Sequence, residues 1–110
     1  MEKLVKGDVV VLPFPYSDLS SSKKRPALII AILDGDDVIL CQITSRQRHN
    51  KHAINLADSD FKHGKLNVDS YIKSNRIFTA DKSIILYKIG SLKEKKIDEV
   101  IESVVRILKS

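Results

Sequence analysis

The sequence is poor in cysteine, in metal-ligand spacings and in long apolar runs. Its one cysteine, Cys41, excludes an internal disulfide. It lies inside the run Val38-Ile39-Leu40-Cys41, where a thiol is expected as a small hydrophobe rather than a nucleophile. No Cys/His pair has the spacing of a zinc site. Asp18, Asp58, Asp60 and Asp69 are scattered as turn and cap residues, not grouped as a two-metal nuclease requires. No apolar stretch approaches the roughly 20 residues that span a bilayer. The charged start, with Glu2, Lys3 and Lys6, lacks the apolar segment of a signal peptide, so a cytoplasmic protein is expected. Repeats, low-complexity segments and linkers are missing too. The 110 residues read as one domain, 1–110, just large enough for a single core.

What is present is a globular composition, 43% hydrophobic and 30% charged, with a net charge of +5 that favours an anionic partner. The excess is clustered. Lys23, Lys24 and Arg25 are consecutive, and Arg46, Arg48, His49, Lys51 and His52 follow one another closely. A rim of one small barrel accommodates both clusters, and so does a pair of solvated loops.

Residues 7–13 read as a strand, and residues 14–24 as a long loop, because Pro13 and Pro15 break a backbone ladder. Residues 26–33 are continuously apolar, as in a strand covered on both faces. A turn cluster, Asp34-Gly35-Asp36-Asp37, separates them from a third strand at 37–44. A polar loop, 45–52, leads to a strand around 52–57. Residues 58–64 look like a helical turn closed by glycine. Short strands are expected at 68–73 and 76–80, with a break near Ser74-Asn75, and residues 83–90 read as a turn entering a last strand. Ser91-Leu92-Lys93-Glu94 has the form of a capping box. Leu92, Ile97, Val100, Ile101, Val104, Val105 and Leu108 then recur at helical spacing, opposite Lys95, Lys96, Glu99, Glu102 and Arg106. The pattern predicts a mainly β fold, a small SH3-like antiparallel barrel with a C-terminal α-helix packed on it.

The chemistry-bearing constellation is Arg25 with Thr44, supported by Ser45. A hairpin turning at Gly35 brings the far ends of its two strands together, so residues 25 and 44 share one edge. A guanidinium presents a fixed fork of donors for two phosphoryl oxygens, and a hydroxyl serves a third. The pair alone equally fits a phosphate anchor or a salt-bridge site.

Further residues extend the pattern. Gly7-Asp8, an apolar strand, Arg25-Pro26-Ala27-Leu28-Ile29-Ile30 and Ile43-Thr44-Ser45 are followed by Phe61-x-x-Gly64 and Asp69-Ser70-Tyr71. Ile77-Phe78-Thr79-Ala80-Asp81-Lys82-Ser83 and Ile89-Gly90-Ser91-Leu92 complete the order. Taken together this resembles the MazF/PemK family of toxin endoribonucleases over essentially the whole chain. The resemblance implies a barrel of CcdB/MazF type, a homodimer, an antitoxin partner with an acidic tail, and cleavage of single-stranded RNA to a 2′,3′-cyclic phosphate without metal or cofactor. It maps the catalytic pair to Arg25 and Thr44. The chain has Asp18-Leu19-Ser20-Ser21-Ser22-Lys23-Lys24 where many members have Gly-Ser-Glu-Gln, and Asn75-Arg76 where many have an acidic residue and Gln.

An RNA groove lined by loops 14–24 and 45–52 draws its expected contacts from Tyr16, Ser21, Lys23, Lys24, Ser45, Arg46, Arg48 and Arg76. Tyr16 is preferred to Phe14 and Tyr71 as a stacking ring. A histidine pair would suit RNA transesterification, but His49, His52 and His63 are read as surface residues. Two other functions fit the same fold, a gyrase-directed inhibitor of CcdB type and a nucleic-acid-binding module without turnover.

Overall fold

The sheet's two edge strands are nearest neighbours in sequence, and this makes the sheet curl. The computed structural model describes residues 3–15, 22–45 and 51–110. Its strands are β1 (Asp8–Pro15), β2 (Ser22–Ile32), β3 (Asp37–Thr44), β4 (Ala53–Leu56), β5 (Phe61–His63), β6 (Ser70–Asp81) and β7 (Tyr87–Leu92), followed by the helix α1 (Glu94–Lys109). They form one antiparallel sheet in the order β4-β6-β3-β2-β1-β7-β5. The edges β4 and β5 are joined only by residues 57–60, which include a 3₁₀ turn at Asp58–Asp60. Their ends therefore lie within about 20 Å of each other. One core cluster collects Val9, Leu28, Cys41, Ile43, Leu56, Phe61, Ile72 and Leu92 from all seven strands, with Ile97, Val100 and Val104 from α1. The architecture is a curled antiparallel half-barrel with one closing helix, in keeping with the mainly β barrel and C-terminal helix expected from the sequence.

Lys96 of α1 fastens the closing turn. Its ammonium donates to the Asn55 carbonyl at 3.1 Å and lies 3.5 Å from Asp60 Oδ2, while Asp60 Oδ2 also accepts from the Ala57 N–H at 2.8 Å.

The other faces of the central strands are covered as well. Val10, Leu12, Ala27, Ile29, Val38, Leu40, Ala80 and Ile85 form a second cluster, closed by Phe14 and Phe78, whose rings meet edge to face at 5.1 Å. Burial on both faces is why these strands read as unbroken apolar runs instead of alternating ones. The hairpin turn falls at Gly35 as expected. Ala27 pairs with Gln42, and the same register carried outward sets Arg25 across from Thr44.

Five expectations change. The helical turn expected at 58–64 is confined to Asp58–Asp60, and Phe61–His63 is the strand β5 paired with β7. Strand β1 runs through both prolines to Pro15, with Pro13 paired to Lys24, and β2 begins at Ser22, so the predicted loop at 14–24 is shorter. The prolines are tolerated because β7 flanks β1 only as far as Val11. The Val11 carbonyl faces the β7 side, accepting from Leu86 N–H at 2.8 Å. Residues 13 and 15 share that side, where among the described residues no strand asks for their missing N–H.

The two short strands at 68–73 and 76–80 are one strand, β6. The expected break is a bulge: Cys41 pairs with Ile77 but Gln42 with Lys73, leaving residues 74–76 outside the ladder. Ser74 fills the gap, its hydroxyl donating to the His52 carbonyl at 2.8 Å and lying 2.7 Å from Ser103 Oγ.

The capping box does not form. Lys93 is the N-cap, without a side-chain bond, and Ser91 belongs to β7. The apolar stripe of α1 is also narrower than expected, since Val105 and Leu108 are exposed.

Candidate functional site

Arg25 and Thr44 meet at one cleft of about 360 Å³, opening between the outer ends of β2 and β3, the segment before β6, and β7. Lys23, Lys24 and Ser45 are exposed on its rim, Arg25 is half-buried and Thr44 is buried. Each position follows from local structure. Arg25 stands in β2 opposite Leu12 of β1, so a paired strand holds its backbone. Thr44 is the last residue of β3 and pairs with Tyr71 of β6. Arg25 Nε is shielded from solvent, so the inner part of the guanidinium is buried within the cleft wall. The cleft thus joins a half-buried guanidinium, two hydroxyl side chains and two flanking ammonium groups. Such a group of donors binds a phosphodiester and stabilises charge that grows on its oxygens.

Other expected contacts fall elsewhere. Arg76, in the β6 bulge, lines a larger hollow of about 700 Å³ with Leu12, Phe14, Gln42 and Phe78, away from the Arg25 cleft. Phe14 packs on Phe78, and half-buried Tyr71 is fixed between Thr44 and Asn55. Lys51 and His52 line a third hollow with Ser103 and Arg106. Tyr16, Ser21, Arg46, Arg48 and His49 lie outside the described residues. Among the described residues no three His, Cys, Asp or Glu side chains converge. Burial pushes the Cys41 thiol up to about 12, which removes it as a nucleophile.

The cleft also has members that sequence reasoning missed: Leu66, Val68, Ser70, Tyr87 and Ile89. Tyr87 reaches it because β7 pairs with β1, a non-local pairing that no spacing in the sequence announces.

The fold and cleft find their counterparts among known proteins. A family profile, PemK-like, MazF-like toxin of type II toxin-antitoxin system, matches residues 5–108, so the chain belongs to that family. A search of curated proteins finds no match. Solved structures superpose on it closely. An endoribonuclease from a mycobacterial species, in complex with its cognate antitoxin, does so with TM-score 0.77 at 16% identity, covering 97% of this chain and 96% of the other. The MazE–MazF complex of Deinococcus radiodurans (form II) gives 0.74 at 18%, over 94% of each chain. The Mycobacterium tuberculosis toxin MazF-mt6 gives 0.72 at 18%, over 93% and 96%. At these identities the likeness speaks for the fold. No helix of the described residues is long and apolar enough to cross a membrane.

Proposed function

We propose that this protein is the toxin of a toxin–antitoxin pair and cleaves single-stranded RNA in the cytoplasm, using Arg25 and Thr44. The observation that carries the reading is the meeting of these two residues, from different strands, at a cleft rimmed by Lys23 and Lys24. RNA brings its own nucleophile. The ribose 2′-oxygen bonds to phosphorus, the bond from phosphorus to the 5′-oxygen breaks, and the proton lost at the first oxygen is balanced by one gained at the second. The products are a 2′,3′-cyclic phosphate and a 5′-hydroxyl, with no protein nucleophile and no metal required. Arg25 remains charged throughout, and its donors stabilise the oxygens as the phosphorane forms. The Thr44 hydroxyl orients the phosphate.

The positive rim fits an acidic antitoxin segment that folds as it binds. The protein works as a homodimer in this reading. Its relatives support the partner: two of the superposed structures are complexes with an antitoxin or MazE.

The test is incubation of mixed-sequence single-stranded RNA with the protein in excess EDTA. Discrete cuts ending in cyclic phosphate are expected. Cleavage that needs added divalent metal would overturn the metal-independent route. Intact RNA with salt-sensitive binding would identify a binding module. Neither binding nor cutting would direct attention to a protein target such as gyrase.

A further inference from the structure

One side of the Arg25 cleft is apolar, and the phosphate chemistry makes no use of it. Leu66, Val68, Tyr87 and Ile89 line this side. Tyr87 is 55% exposed and Val68 61%. Single exposed hydrophobes are ordinary on any surface, but these are gathered in a concavity that also holds three cationic side chains.

The ring is mounted on rigid structure. Val11 of β1 pairs with Pro26 on one side and with Tyr87 on the other, so the row runs from the residue after Arg25 to Tyr87 across two strand spacings, about 10 Å. The N–H of Leu86, next to Tyr87, donates to the Val11 carbonyl at 2.8 Å. On the other side of Tyr87, Lys88 lies 3.4 Å from buried Asp8. Val68 is steadied too, its carbonyl accepting from the hydroxyl of buried Ser70 at 3.0 Å.

We propose that Tyr87, with Val68 and Leu66 beside it, seats an unpaired nucleobase next to the phosphodiester held by Arg25 and Thr44. A cationic rim with an aromatic platform one nucleotide away is the combination by which single strands are held, charge following the backbone and ring following the base. An acidic peptide would match Lys23 and Lys24, whereas a nucleotide supplies at once the phosphate for Arg25 and a ring for Tyr87. The subsite rests on the nuclease reading above, and it makes Tyr87 a binding residue that selects single-stranded over duplex RNA, because a paired base cannot reach the ring.

The test uses an oligoribonucleotide spanning a cut mapped with the wild-type protein. It carries 2′-deoxyribose at that cut, so binding is measured without turnover. Tyr87→Ala is expected to weaken binding about tenfold or more, and Tyr87→Phe to bind as the wild type does. In a matched set with one abasic nucleotide at each position flanking the cut, the Tyr87→Ala penalty disappears at one position. On cleavable RNA, Tyr87→Ala raises KM by more than it lowers kcat. Unchanged binding by Tyr87→Ala, or a penalty that persists on every abasic oligonucleotide, overturns the subsite while wild-type cleavage keeps the nuclease reading intact. Absence of any wild-type cut, with no RNA bound, overturns both.

Discussion

The hydroxyl of Ser91 donates to Asp8 Oδ1 at 2.9 Å, tying the last strand to the start of the first. The carboxylate is wholly buried. It also accepts from the Val5 N–H at 2.9 Å and faces Lys88 at 3.4 Å, so its charge is compensated inside the protein. Gly7-Asp8, which opens the family pattern, is therefore a structural element. Asp8→Ala is expected to lower unfolding free energy by about 2 kcal/mol, since it strands Val5 N–H and the Ser91 hydroxyl. Urea denaturation measures this, and a loss below about 0.5 kcal/mol would show the network to be dispensable.

Gly64 and Gly90 sit against each other where β5 meets β7. A Cβ at Gly64 would overlap the Ile89 carbonyl and approach Gly90 Cα to 2.8 Å, at a backbone φ of +77°. Gly35 has a similar φ, +80°, but open space around it. Gly35→Ala should cost about 1–2 kcal/mol, the conformational term alone. Gly64→Ala should cost well more, because backbone must move as well. Comparing the two by thermal unfolding separates steric from conformational cost, and equal losses would contradict the close approach.

Arg25→Ala should lower cleavage by roughly 10²-fold or more, the usual effect of removing a donor to a developing oxyanion, while the melting temperature changes little. Arg25→Lys should not restore full activity, because an ammonium lacks the planar fork. Single-turnover kinetics with circular dichroism as the folding control decide the matter. Retained activity in Arg25→Ala removes this residue from the mechanism.

Thr44→Val keeps the β-branched shape of a buried strand residue and removes its hydroxyl. It is expected to reduce kcat about 10-fold or more with a smaller change in RNA affinity, and Thr44→Ser is expected to retain most of the rate. Equal losses of rate and affinity would make Thr44 a plain binding residue.

Burial pushes the Cys41 thiol from an ordinary value near 9.0 up to about 12. The unfolded chain ionises first, so this residue's contribution is complete below about pH 9 and falls as pH rises toward 12. Its slope is at most about 1.4 kcal/mol per pH unit. Urea midpoints at pH 8 and pH 10 should differ less in Cys41→Val than in the wild type. In the native protein the thiol should resist alkylation until the chain unfolds.

Much of the architecture was legible locally. Two apolar runs around Gly35 predict the hairpin, and the turn position places residues 25 and 44 at the same edge, while a bulge between Ile29 and Ala31 sets the final register. The amphipathic stripe announced α1. Misreadings arose where a distant partner outbid a local signal. Ser91 has the spacing of an N-cap, yet the carboxylate of Asp8 takes its hydroxyl. Pro13 and Pro15 carry loop signals, yet β1 continues because its pairing with β7 ends at Val11, before either proline. Arg76 adjoins strand residues that reach the site, but the β6 bulge sends it to another hollow.

The sequence by itself determined a mostly β chain with one terminal helix, a basic surface and a guanidinium–hydroxyl pair at one hairpin edge. These depend on contacts between residues close along the chain, whose periods and turns are written in residue order. Only the tertiary structure decided what surrounds that pair. The pairing of β1 with β7 carries Tyr87 to the cleft, and the closure of β4 and β5 beneath α1 curls the sheet around it. Those contacts join segments far apart in the chain. They are selected by which buried faces and hydrogen-bonding edges fit together, a property of the whole sheet that no window of the sequence contains.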